Sequence, residues 1–175
     1  GCSHFAGGML ALFCELESAE PLIGVLGQES LTYWRTHVSD VTNLGTLVVA
    51  PPRDLPDLRR FAARTSHHET IRREAIAKLE PALSGRFETA LYFRDEAHLD
   101  PRQALATLKD RLVRDHGVQF VPSEQVFPEQ LSADWVLDCR GYEARDVLPD
   151  LRGVKGEMLI VRTDEVVLSR PIRLL

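Results

Sequence analysis

The sequence predicts an α+β fold, and three observations carry the prediction. One helix is fully punctuated, with Asp100 and Pro101 at its start and Gly117 just past its end. Several short apolar runs rich in β-branched residues are cut off by Gly or Pro, as strands are. The last two runs, Gly156 to Arg162 and Val166 to Arg170, are joined by the polar turn Thr163-Asp164-Glu165, which predicts an antiparallel hairpin outside any parallel layer.

The chain opens on GCSHFAGGMLA, Gly1 to Ala11, a small-residue loop whose Gly7-Gly8 pair lets backbone N–H groups approach a phosphate or a flat ring without an intervening side chain. By itself such a pair marks a turn more often than a binding site. Ser18 as N-cap and Pro21 in the first turn then predict a helix from Ala19 to His37, with Leu22, Val25, Leu26, Leu31, Trp34 and Val38 on its apolar face. Gly24 and Gly27 inside it cost about 1 kcal/mol each relative to Ala, so close packing against another element is expected there. Trp34 reads as a core anchor.

Thr46 to Ala50, stopped by Pro51-Pro52, reads as a buried strand. Asp54 caps a short helix with Leu55, Leu58 and Phe61 on one face, and a further helical turn or two spans Ala75 to Leu79. Ser66-His67-His68-Glu69 invites a metal reading, but adjacent residues point in different directions and no partner with ligand spacing follows. A solvated helix-capping segment is the better expectation.

Ala90 to Phe93 is another strand. The helix from Asp100 follows, with Gln103 placed to close a capping box and Leu105, Leu108 and Leu112 on the buried face. It delivers into Val118 to Val121, and Trp135 to Cys139 ends at Arg140-Gly141. This is the grammar in which ligands lie beyond the carboxyl end of a strand.

Composition narrows the function classes. A net charge of −5 without a Lys/Arg cluster argues against nucleic acid as a partner, and no apolar run nears the roughly 20 residues of a membrane span. A cytoplasmic location is the default. Cys2, Cys14 and Cys139 form no CxxC pair and read as reduced thiols. No Ser/His/Asp or Cys/His constellation stands out as catalytic; His4 and His98 read as single imidazoles satisfied by backbone or solvent. The start without methionine inside a glycine-rich loop, and the close at Arg173-Leu174-Leu175, suggest a piece of a longer protein.

The series AGGMLA at Ala6 to Ala11, DEAHLDPRQAL at Asp95 to Leu105, WVLDCRG at Trp135 to Gly141 and VKGEML at Val154 to Leu159 resembles the glycine oxidase branch of the D-amino-acid-oxidase-like flavoproteins, associated with making the thiamine thiazole. The resemblance spans nearly the whole chain. It implies FAD as cofactor and an α+β architecture of partial Rossmann-like FAD-binding elements (1–43 and 97–150) plus the mostly antiparallel sheet of a substrate domain (44–96 and 151–175). It implies that Cys2 and Ser3 stand near the pyrophosphate, that Gly7, Gly8, Met9 and Leu10 run past the flavin ring, and that Val126 meets the adenine. Cys139, Arg140 and Gly141 match a strand end close to the cofactor, where Arg140 replaces the usual small residue and must point away or towards phosphate.

The family's GxGxxG fingerprint and its ribose-binding acid have no counterpart here, nor does its carboxylate-binding arginine; the resemblance puts Arg170 and Arg173 on the strand leading towards the tyrosine beside that arginine, and neither matches the arginine itself. The resemblance therefore implies that the parent protein oxidises glycine or a similar small amino acid to its imine with hydrogen peroxide release. Two alternatives stay open: a D-amino acid or sarcosine dehydrogenase or oxidase of the same fold, or a non-catalytic segment that does not bind FAD alone. The oligomeric state is not legible, and a homo-oligomer stays open.

Overall fold

The computed structural model describes residues 2–121 and 131–175. A four-stranded sheet organises it, in the order β3 (Glu69–Arg72), β4 (Thr89–Phe93), β2 (Thr46–Val49), β6 (Ile172–Leu174). The two interfaces β3/β4 and β4/β2 are antiparallel, with Val48 opposite Leu91 and Thr70 opposite Leu91 on the other side. β6 adds in parallel to β2, Val48 opposite Arg173. The mostly antiparallel sheet is thus as predicted, and the class is α+β.

All four residues of β2 are buried, which explains why it reads as an unbroken apolar run: both faces of the sheet are covered. On one face Val48, Leu91 and Phe93 pack with Leu12, Phe13 and Cys14 of α1 (Leu12–Glu15) and with Leu58 and Phe61 of α3 (Leu55–Arg64). On the other, Leu47, Val49, Ala90 and Tyr92 pack with Ile71, Leu83 and Ile76 of α4 (Arg73–Leu79). A separate two-stranded ladder pairs β1 (Met9–Leu10) with β5 (Ala97–His98).

The helix expected from Ala19 is α2, Pro21–His37. Ser18 does not cap it, because the Ser18 and Ala19 N–H groups close the turn that ends α1 onto the Glu15 carbonyl. Its two glycines do sit where another element comes close: a Cβ on Gly27 would meet Leu12 Cβ at 2.6 Å, and one on Gly24 would lie 3.3 Å from Leu16. That contact turns Leu22, Val25 and Leu26 outwards, so the expected apolar face is largely exposed and only Leu31 of the helix is buried.

The capped helix is α5, Pro101–His116. Asp100 accepts from the Arg102 N–H at 2.8 Å, but Gln103 does not close the box back onto it. Gly117 takes φ 64°, with its own N–H on Val113 O and that of Val118 on Leu112 O. Pro101 and Ala104 are buried, whereas Leu105 and Leu112 are exposed, because only the first turn packs onto the β5 corner.

Four expected strands, Val118 to Val121, Trp135 to Cys139, Gly156 to Arg162 and Val166 to Arg170, are not strands. A strand has no hydrogen bonds of its own, and among the described residues nothing pairs beside these runs; Trp135 is 86% exposed and Leu159 89%. Ser66 to Glu69 does not cap a helix either. It leads into edge strand β3, with the His67 ring stacked on Phe13 at 4.3 Å and His68 tilted against Phe93.

Two buried carboxylates tie distant segments to the sheet. Glu80 Oε2 accepts from Ser169 N and Oγ, at 3.0 and 2.9 Å, and pairs with Arg170, whose Nη2 also donates to Leu79 O and Nη1 to Leu44 O. Glu96 Oε1 accepts from Phe13 N at 3.0 Å and Cys14 N at 2.8 Å.

Candidate flavin-facing loop

The opening loop begins as a single 3-10 turn, Cys2–Phe5, packed on α5. After Gly7 the chain turns at Gly8, which has φ 72°; a Cβ there would stand 2.0 Å from the Leu99 carbonyl oxygen, a position only glycine can occupy. The Gly8 carbonyl in turn accepts the Leu99 N–H at 2.9 Å, and β1 then pairs Met9 with His98 and Leu10 with Ala97. Isolated bridging of His98 to Thr42 completes this corner.

Three cavities line the loop. One of about 290 Å³ is mostly apolar and lies between Ser3, Gly8, Met9, Trp34, Leu99 and Leu105. Another of about 380 Å³ runs past Ala6 and Gly7 to the N-terminal turn of α5, where Thr42, His98, Arg102 and Gln103 supply polar groups. A third of about 700 Å³ lies between Cys2, Phe5, Gly7 and the segment around Gly156, Glu157 and Met158. The opening loop is thus the shared wall of all three.

The donor set of that wall suits a flat ring that carries carbonyl and nitrogen acceptors. Gly7 has open space wherever a Cβ would go, and among the described residues no oxygen accepts the N–H of Gly7 or Gly8. Two polar atoms at the corner are also buried without a partner among the described residues: His98 Nδ1 and Arg102 Nη1. Burial, then the charge of Arg170, holds the His98 imidazole below its ordinary pKa, so it is not the satisfied side chain expected. The Arg102 backbone N–H, the largest influence, holds Asp100 below the usual carboxylate range and so keeps the α5 cap charged.

Of the residues singled out in the sequence, Cys2, Ser3, Gly7, Gly8, Met9 and Leu10 come together along these cavities. Cys139 and Gly141 line none of the three. Cys139 is exposed, and Gly141 begins a 3-10 turn, Gly141–Asp146, with φ 63°. Val126 lies outside the described residues. The Arg140 guanidinium is shared between Asp138 and Asp146, at 2.7 and 3.0 Å, and draws both carboxylates below their usual range. Arg170 is consumed by Glu80 and the Leu44 and Leu79 carbonyls, and Arg173 lies over the Phe61 ring.

Sequence reasoning missed Trp34 as a cavity wall, the corner groups Thr42 and Arg102, and Glu96 altogether. Arg102 was signalled by its place in the first turn of a capped helix; Glu96 carried no signal, since an Asp-Glu pair after a strand reads as a solvated turn.

Comparison with known proteins bears on the family of the chain. A Rhizobium etli protein, provisionally named thiamine biosynthesis oxidoreductase ThiO, is 50% identical over the whole chain, and the match covers 53% of its length. The chain therefore spans about half the length of that relative. Solved structures of glycine oxidases from Geobacillus kaustophilus and Bacillus cereus match over 62% of this chain and 33% of theirs, at 18% and 15% identity and TM-scores of 0.48 and 0.49. The family model for the DAO group, described as FAD dependent oxidoreductase, matches residues 1–174, and the chain belongs to that family.

Proposed function

We propose that this chain is the central part of a flavoenzyme that oxidises glycine, or a similarly small amino acid, to its imine with release of hydrogen peroxide, in the cytoplasm and in the service of thiamine thiazole synthesis. One observation carries the reading: a Gly-Gly loop held on the β5–α5 corner, lining three cavities with acceptor-free N–H groups, in a chain half identical to a ThiO protein. FAD, when bound, supplies two-electron acceptance from the amine and reoxidation by oxygen.

The chain's own residues hold and orient. Gly7 and Gly8 offer backbone donors and Met9 and Leu10 a flat wall to the ring, Cys2 and Ser3 stand towards the pyrophosphate, and Val126, Cys139 and Gly141 complete the cofactor contacts in the assembled protein. Trp34, Leu99 and Leu105 exclude water from the apolar side. No acid–base side chain is required of this segment, because orientation and electrostatics are the protein's share of flavin chemistry. We assign residues 1–43 and 97–150 to the FAD-binding part and 44–96 and 151–175 to the substrate part.

The test is a purified full-length protein, its visible spectrum and its response to substrate without air. Flavin bands that bleach with glycine, and peroxide formed on readmission of oxygen, are expected. Bleaching by sarcosine or a D-amino acid but not by glycine would move the assignment to the related dehydrogenases and oxidases, and absence of flavin would sink it. The 175 residues alone are expected to retain negligible FAD, since they lack GxGxxG and the ribose-binding acid; a yellow preparation of them would contradict this.

A further inference from the structure

The AGGMLA loop is held at both ends by one short segment, Glu96 to Leu99. Upstream the hold is backbone: Leu99 N–H on the Gly8 carbonyl, then the β1/β5 ladder. Downstream it is a side chain, since Glu96 Oε1 takes the N–H groups of Phe13 and Cys14 in the first turn of α1. We propose that Glu96 is a positioning residue, whose carboxyl clamps the chain just after the loop and thereby fixes where Gly7 to Leu10 present their backbone to the flavin. The proposal rests on the flavin reading above.

The environment of Glu96 is unusual for a purely stabilising group. Its carboxyl is fully buried, and among the described residues no cation pairs with it. Oε2 and the Thr46 hydroxyl that faces it are both buried without a hydrogen bond of adequate geometry. Filling the same space with an apolar side chain would avoid the desolvation of a carboxylate, which is among the costliest groups to bury. What an apolar residue could not do is hold two backbone N–H groups from more than 80 residues away in the sequence. Clamping of this kind acts on the loop through α1 and not by touching the cofactor, so its signature is in flavin geometry.

The experiment uses the FAD-loaded full-length protein with three variants. Glu96→Gln keeps an oxygen for both N–H groups and is expected to rescue wild-type behaviour in FAD affinity and in the visible circular dichroism of the flavin. Glu96→Leu removes the acceptor and is expected to weaken FAD binding about tenfold and to alter that dichroism. Should Glu96→Leu fail to fold, Glu96→Asp, which keeps the charge on a shorter arm, is expected to fold and to show the same dichroism change. Variants that lower the melting temperature but leave FAD affinity and flavin dichroism at wild-type values would overturn the proposal and leave the flavin reading intact. A wild-type protein without flavin would overturn both.

Discussion

Glu80 and Glu96 are both buried glutamates that anchor a remote segment to the same sheet, yet they are satisfied in opposite ways. Glu80 meets a guanidinium, and that guanidinium is itself tied to the Leu44 and Leu79 carbonyls and lies over the Tyr92 ring. Among the described residues Glu96 meets no cation: its Oε1 takes two backbone N–H groups, and the Thr46 hydroxyl and Cys14 thiol lie beside the carboxyl. The first is a charge pair, in which neither member can be removed without stranding the other. The second is an acceptor, for which the charge itself is dispensable. Burial pushes the Glu96 carboxyl up, and burial together with the neighbouring Glu96 pushes the Cys14 thiol up as well.

The largest expected effect follows from the pair. Glu80→Ala leaves the Arg170 guanidinium buried without a counter-charge and should cost about 3–5 kcal/mol in equilibrium urea unfolding. A loss below about 1 kcal/mol would mean the remaining acceptors around Arg170, the Leu44 and Leu79 carbonyls and the Ser169 hydroxyl, suffice, and the contrast with Glu96 would collapse.

Next comes the other hold on the loop. Gly8→Ala forces a Cβ onto the Leu99 carbonyl at φ 72° and should destabilise by about 2 kcal/mol or more. Gly7→Ala, one residue earlier in open space, should change stability by less than about 0.5 kcal/mol while weakening FAD binding.

The smallest effect is also the most diagnostic of the comparison. With its folded-state pKa raised, Glu96 holds a proton more tightly in the folded than in the unfolded chain. Its contribution is therefore largest at low pH and falls as pH climbs from the ordinary glutamate value near 4.5 through the raised one. Glu96→Gln should flatten that slope in urea midpoints measured from about pH 4 to about pH 8, with little loss at neutral pH. Glu80→Gln should instead lose stability at neutral pH, because the cation there loses its charge partner. Similar responses from the two glutamine variants would break the distinction.

Local chemistry made much of this fold legible. β2, β4, α3 and α5 were readable because each is announced by its own residues: a β-branched run closed by Pro for β2, a short apolar and aromatic run for β4, an apolar stripe on Leu55, Leu58 and Phe61, and the Asp100, Pro101 and Gly117 punctuation. β3 was hidden because an edge strand needs little apolar surface; of Glu69-Thr70-Ile71-Arg72 only Ile71 is buried. The late apolar runs misled for the converse reason, since hydrophobicity favours a strand only where a neighbour offers hydrogen bonds, and Ile172 to Leu174 took the one open edge beside β2. At the site, Gly7 and Gly8 were legible as glycines, and the distinction between them was not. Which one is sterically obligatory depends on where Leu99 returns, and that is decided 90 residues later.

The parallel seating of β6 also sets an order of events during folding. β2 and β4 close a separation of roughly 40 residues, whereas β2 and β6 close roughly 125, so loop-closure entropy and the contact-order trend both favour the antiparallel trio first. On a ribosome, residues up to Asp100 can already build β3-β4-β2 and seat the opening loop on β5, with the edge of β2 left unpaired. That edge is a template for wrong partners until residues 169–174 emerge, and the Arg170–Glu80 pair arrives with the strand that closes it.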